Sequence, residues 1–74
     1  MSVRGIGDRW LAGEAIEGVT FHRHDPVEIF VGRHEGQFGR IELLMDVEPE
    51  ARYLVKLDEA GRLVPVNQSA LRRR

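Results

Sequence analysis

Gly39-Arg40-Ile41-Glu42-Leu43-Leu44-Met45-Asp46-Val47 is the stretch whose reading decides the fold. In an extended chain, Ile41, Leu43, Met45 and Val47 project to one side. Arg40, Glu42, Leu44 and Asp46 project to the other. An unbroken apolar face at period two is the pattern of a half-buried strand. This strand is expected to put Ile41, Leu43 and Met45 into a core.

Working outward, the same period recurs in short pieces. Glu48-Pro49-Glu50 is a polar break with a proline, which marks a turn. Beyond it Tyr53, Val55 and Leu57 alternate with Leu54, Lys56 and Asp58. Asp58-Glu59-Ala60-Gly61 then makes a hairpin connection. Val64 and Val66 flank Pro65, which places that strand at an edge because proline has no N–H to donate. Asn67 to Ala70 reads as a tight helical turn, and Leu71 closes the core before Arg72-Arg73-Arg74. Upstream, Gly32 to Gly39 is a glycine-rich loop, and Val27, Ile29 and Val31 alternate before it. Val19 and Phe21 form a further short strand, stopped by His24-Asp25-Pro26.

Short strands at regular spacing predict an all-β domain, either a small barrel or a sandwich. The expected core is Val19, Phe21, Ile41, Leu43, Met45, Tyr53, Val55, Leu57, Val64, Val66 and Leu71. Residues 1–17 read as an irregular N-terminal extension and residues 18–74 as the β domain. Asp8 is placed to cap one helical turn over Arg9 to Ala12, ended by Gly13. Trp10 and Leu11 are expected to fold back over Phe30, Phe38 and Leu44, the apolar side chains left on the outer side.

The pattern Val19-x-Phe21, Gly36-x-x-Gly39-x-Ile41, Tyr53-x-Val55-x-Leu57, Gly61, Val64-x-Val66 and Leu71 resembles the small SH3-like barrels of the KOW type. Their relatives include photosystem I reaction-centre subunit IV, the variable chain of ferredoxin–thioredoxin reductase and the beta-subunit domain of nitrile hydratase. The resemblance runs from Gly18 to Arg73 and implies a five-stranded barrel. It also implies accessory or binding roles, including RNA or DNA binding in KOW members. Here the first long loop is poor in lysine and arginine, which ranks a protein partner above nucleic acid.

Composition narrows the function classes. The chain has 74 residues, 42% of them hydrophobic, and a net charge of -1. That is enough for one folded domain with a thin margin of stability. It has no cysteine, so neither a disulfide nor a thiolate-held zinc is available. No apolar run approaches the ~20 residues of a membrane span. Arg4, Asp8 and Arg9 interrupt the place where a signal peptide would be hydrophobic. A cytoplasmic protein with no membrane partner is expected.

Three constellations are candidates for function. The first is a protein-contact surface on the loop from Asp25 to Gly39, carried by Phe30, Arg33, His34 and Phe38. The second is a phosphate-binding patch of Arg23, Arg33, Arg40, Arg72, Arg73 and Arg74, brought together if the last strand runs beside the first. Its counter-reading is a solvated surface with a frayed tail. Glu42 to Leu71 holds six acids against three bases, so a molecule with an acidic and a basic side is expected. The third is a metal site at His22 and His24, which share a face if both lie on a strand. Ser2 and Ser69 lack a nucleophile context, and Glu48 and Glu50 sit in a solvated turn. Gly32 to Gly39 precedes no helix, which a phosphate loop needs. No enzyme activity and no cofactor are expected.

Overall fold

The computed structural model describes residues 3–74, and side chains from residue 5 onward. Met1 and Ser2, the start of the expected extension, lie outside the described residues. The elements are α1 (Val3–Leu11), β1 (Pro26–Ile29), β2 (Phe38–Asp46), β3 (Arg52–Leu57), β4 (Leu63–Asn67), the 3-10 turn η1 (Gln68–Ala70) and β5 (Leu71–Arg73). The strands form one antiparallel sheet in the order β4-β3-β2-β1-β5. The all-β reading is therefore correct.

The apolar positions explain the sheet. Tyr53, Val55 and Leu57 on β3 and Val64 and Val66 on β4 alternate with exposed residues and are buried. Phe21, Val27, Ile29, Ile41, Ala51 and Leu71 complete the core with Trp10. Pro65 lies on the exposed side of β4, an outer strand of the sheet order, where its missing N–H is tolerated. Arg72 and Arg73 are not a frayed tail, because β5 pairs with β1 through Val27↔Arg73, Glu28↔Arg72 and Ile29↔Leu71.

Two expectations about β2 need correction. Leu43 is 43% exposed and Met45 is only half-buried. Leu44, placed outward by simple alternation, packs against the core instead. Two irregularities, at Ile41/Leu43 and Leu44/Asp46, each insert an extra residue opposite β3. A bulge shifts the phase of alternation, so every side chain beyond it changes face. At the other end of β2, a Cβ on Gly39 would lie 2.5 Å from the Lys56 carbonyl and 2.8 Å from Val55 Cγ1. The backbone of β3 crosses so closely there that only glycine fits.

The N-terminal extension is a helix of nine residues rather than one turn. Asp8 lies within it and caps nothing. Ile6 and Trp10, four residues apart, share the face turned toward β2. Burying that face compensates for the weak helix propensity of Gly5 and Gly7. Gly13 does end the helix. Its φ is 85°, its N–H donates to Trp10 O at 3.0 Å, and Glu14 N–H donates to Arg9 O at 3.0 Å. These two bonds make a Schellman cap.

Val19 to Phe21 is not a sheet strand, and the reason lies in its partners. Phe21 N–H donates to the Tyr53 hydroxyl at 3.3 Å, and Trp10 Nε1 donates to Phe21 O at 2.8 Å. Thr20 N–H donates to Gln68 Oε1 at 2.9 Å, and Gln68 Nε2 donates to Gly18 O at 3.1 Å. The Tyr53 hydroxyl donates to the same Gln68 oxygen. Three side chains thus replace a strand ladder, and the segment lies on the core without joining the sheet. No buried side-chain polar atom among the described residues lacks a partner.

Candidate functional site

The loop between β1 and β2 does carry exposed side chains, but they do not form one set. Phe30 and Phe38 stand at its two ends and are 41% and 39% exposed. The Arg72 guanidinium lies 5.3 Å from the Phe30 ring centroid, and Arg74 lies 4.5 Å from that of Phe38. Each phenyl ring is thus covered on one face by a cation from the C-terminal arm. The helix does not cover them. Trp10 folds back and is 1% exposed, but it packs with Phe21 and the sheet core, and Leu11 remains exposed.

Arg33 and His34 belong to a different place. They line a groove of about 420 Å³ between residues 31–34 and the β4–η1 segment. Val31, Arg52, Pro65 and Ala70 also line it. Glu50 holds η1, whose Ser69 and Ala70 line the groove. Its carboxylate accepts Ser69 N–H at 2.9 Å and the Ser69 hydroxyl at 3.3 Å. Sequence reasoning missed Arg52, Val31, Pro65 and Ala70. Arg52 was legible as the outward residue before Tyr53, but not that the β1–β2 loop would face it across the sheet.

The arginine patch is largely engaged in pairing. Arg72 Nε lies 2.8 Å from Glu28, Arg74 Nη1 3.0 Å from Asp58, Arg73 Nη1 3.7 Å from Asp25, and Arg23 Nη2 4.0 Å from Glu42. The hydrogen bond to Glu28, with its charge, holds the Arg72 pKa above its ordinary value. Arg40 Nη1 donates to His24 O at 3.4 Å. Acids and bases therefore interleave across neighbouring strands, and the expected acidic and basic sides are not separate. Part of the reason is register: β5 runs beside β1 and sets Arg72 against Glu28, while Arg74 and Arg23 reach Asp58 and Glu42 in the acidic stretch.

His22 and His24 do not lie on a strand. They occupy a turn in which Asp25 N–H donates to His22 O at 3.2 Å and His22 N–H to Asp25 Oδ2 at 2.8 Å. His24 has a φ of 73°. A turn does not keep the period-two geometry that would aim both imidazoles at one ion. Among the described residues no group of three or more His, Cys, Asp or Glu is placed to hold a metal.

Two further features flank these surfaces. A pocket of about 180 Å³ between α1 and the end of β2 is lined by Ile6, Leu44, Met45 and Val47. No helix among the described residues is long and apolar enough to cross a membrane. Comparison with family models, with curated proteins and with solved structures found no match.

Proposed function

We propose that the protein is a small, non-enzymatic, cytoplasmic module that works by contacting another protein, with the β1–β2 loop as its contact surface. We read it as an SH3-like barrel of the KOW type. The five-strand order with a 3-10 turn between β4 and β5 supports that architecture. The observation that carries the functional reading is the exposure of Phe30, Val31 and Phe38 around one loop, beside a groove lined by Arg33 and His34. Large apolar side chains exposed along one loop, beside a groove with polar lining, suit protein recognition.

Pairing of Arg23, Arg72, Arg73 and Arg74 with carboxylates weakens the RNA- or DNA-binding alternative, because phosphate contact would have to displace each acid. The test is photo-crosslinking from position 31 in cells of the native host, followed by mass spectrometry. A discrete protein adduct is expected. It should disappear when Phe30 and Phe38 are both changed to serine, while the melting temperature stays close to that of the parent. Adducts made only with nucleic acid, or an adduct set indifferent to the double substitution, would sink this reading.

A further inference from the structure

Among the described residues some arginines face a carboxylate and others do not, and the difference points to a ligand. Those of the C-terminal arm face carboxylates. Arg33 and Arg52 do not: among the described residues no carboxylate oxygen comes within 4.0 Å of either guanidinium. Asp46 stands opposite Arg52 in the β2–β3 register but makes no ion pair with it. Glu50 is occupied by Ser69. Arg33 and Arg52 both line one groove. Val31, Pro65 and Ala70 give it apolar surface, and His34, Asn67 and Ser69 give it polar surface. Its volume of about 420 Å³ lies within the range of ligand sites.

We propose that this groove binds an extended, carboxylate-bearing segment of a partner protein. The inference rests on the protein-contact reading above and names the chemistry of the partner. Two strongly basic groups in a groove that also offers apolar surface match a chain that alternates acidic and aliphatic side chains. The guanidinium fork accepts a carboxylate through paired N–H donors. Nucleic acid fits less well. No phenylalanine, tyrosine or tryptophan lines this groove to stack a base, which leaves His34 alone for that task, and a phosphate track would break at the paired arginines of β5. Among the described residues Arg40, Lys56 and Arg62 also lack an ion-pair partner. However, Arg40 donates to the His24 carbonyl and shares its surface with Lys56, Glu42 and Asp58, and Arg62 lies outside the groove.

Fluorescence anisotropy on the full chain tests this with three labelled probes: a peptide alternating glutamate and valine, one alternating lysine and valine, and an oligouridylate. The glutamate peptide should bind, and the lysine peptide should not. Arg33→Ala and Arg52→Ala should each weaken binding about tenfold or more, the size expected for a hydrogen bond to a charged group. Arg62→Ala should leave it unchanged, and Arg52→Lys should retain part of it. Binding should also fall as salt rises. Equal binding of the lysine peptide, indifference to Arg33→Ala and Arg52→Ala, or tighter binding of oligouridylate would overturn the proposal. Loss of peptide binding with intact crosslinks from position 31 would refute the acidic partner alone. Absence of both would remove the protein-contact reading as well.

Discussion

Removing one hydroxyl, by Tyr53→Phe, should separate the N-terminal segment from the sheet. The ring of Tyr53 is fully buried and packs edge-on against Phe21 at 5.7 Å between centroids. Its hydroxyl accepts Phe21 N–H and donates to Gln68. Phenylalanine keeps the ring and leaves Phe21 N–H buried without a partner. An unsatisfied buried donor costs about 1–3 kcal/mol. For a domain of this size that lowers the melting temperature by roughly 10 °C. Thermal unfolding followed by circular dichroism at neutral pH measures it. A second readout is specific to the hydroxyl. Burial is the largest influence on Tyr53 and raises its pKa above the usual 10.0, outweighing the hydrogen bonds from Phe21 and Thr20, which lower it. The fold therefore favours the neutral phenol. That stability is complete below pH 10 and is lost as pH rises through the higher folded-state value. The parent should lose stability in that alkaline window, and Tyr53→Phe should lose less. Tyr53 is the only tyrosine, so tyrosinate absorbance reports it alone. A variant within about 0.5 kcal/mol of the parent, the range of an ordinary surface substitution, would refute the role assigned to this hydroxyl. So would an unchanged alkaline loss.

Trp10→Ala should cost about 3–5 kcal/mol, through the lost indole volume and the orphaned Phe21 carbonyl, and is checked by urea denaturation. Gly39→Ala should cost about 1–3 kcal/mol because the new methyl meets backbone rather than a yielding side chain. Equal stability of that variant would show that β3 does not approach as closely as 2.5 Å. Gln68→Ala should raise amide hydrogen exchange at Thr20 well above that within β3, since Gln68 is its hydrogen-bond partner. Phe30→Ser with Phe38→Ser should leave the denaturation midpoint nearly unchanged, because both rings are already partly exposed.

Where local pattern and tertiary packing agreed, the fold was legible. Tyr53, Val55 and Leu57 alternate without interruption, and they are buried as the pattern requires. The pattern misled where an extra residue entered a strand. Glu42-Leu43-Leu44 carries apolar groups at two successive positions, so either phase satisfies period two, and only pairing with β3 decides between them. Val19 to Phe21 shows the converse. Its alternation is that of a strand, and Phe21 is buried as expected, but its backbone groups are claimed by Trp10, Tyr53 and Gln68. Hydropathy encodes which residues are buried, not which atoms satisfy the backbone.

The candidate site was half legible for a related reason. Alternation alone places Phe30 and Phe38 outward. Charge counted along the chain misleads, because electrostatics acts through space. Six acids between Glu42 and Leu71 suggested an acidic side, yet Asp58 lies 3.0 Å from Arg74 and Glu42 lies 4.0 Å from Arg23. Once these pairs are formed, an arginine's functional weight depends on whether a carboxylate already faces it. An exposed ion pair contributes little to stability. It does, however, lower the local potential that a phosphate or an acidic peptide would meet. Arg33 and Arg52, which line one groove, have no carboxylate within ion-pair distance among the described residues. The net charge of -1 therefore says little about the partner, and the proposal of an acidic one rests instead on which guanidinium groups have no carboxylate facing them.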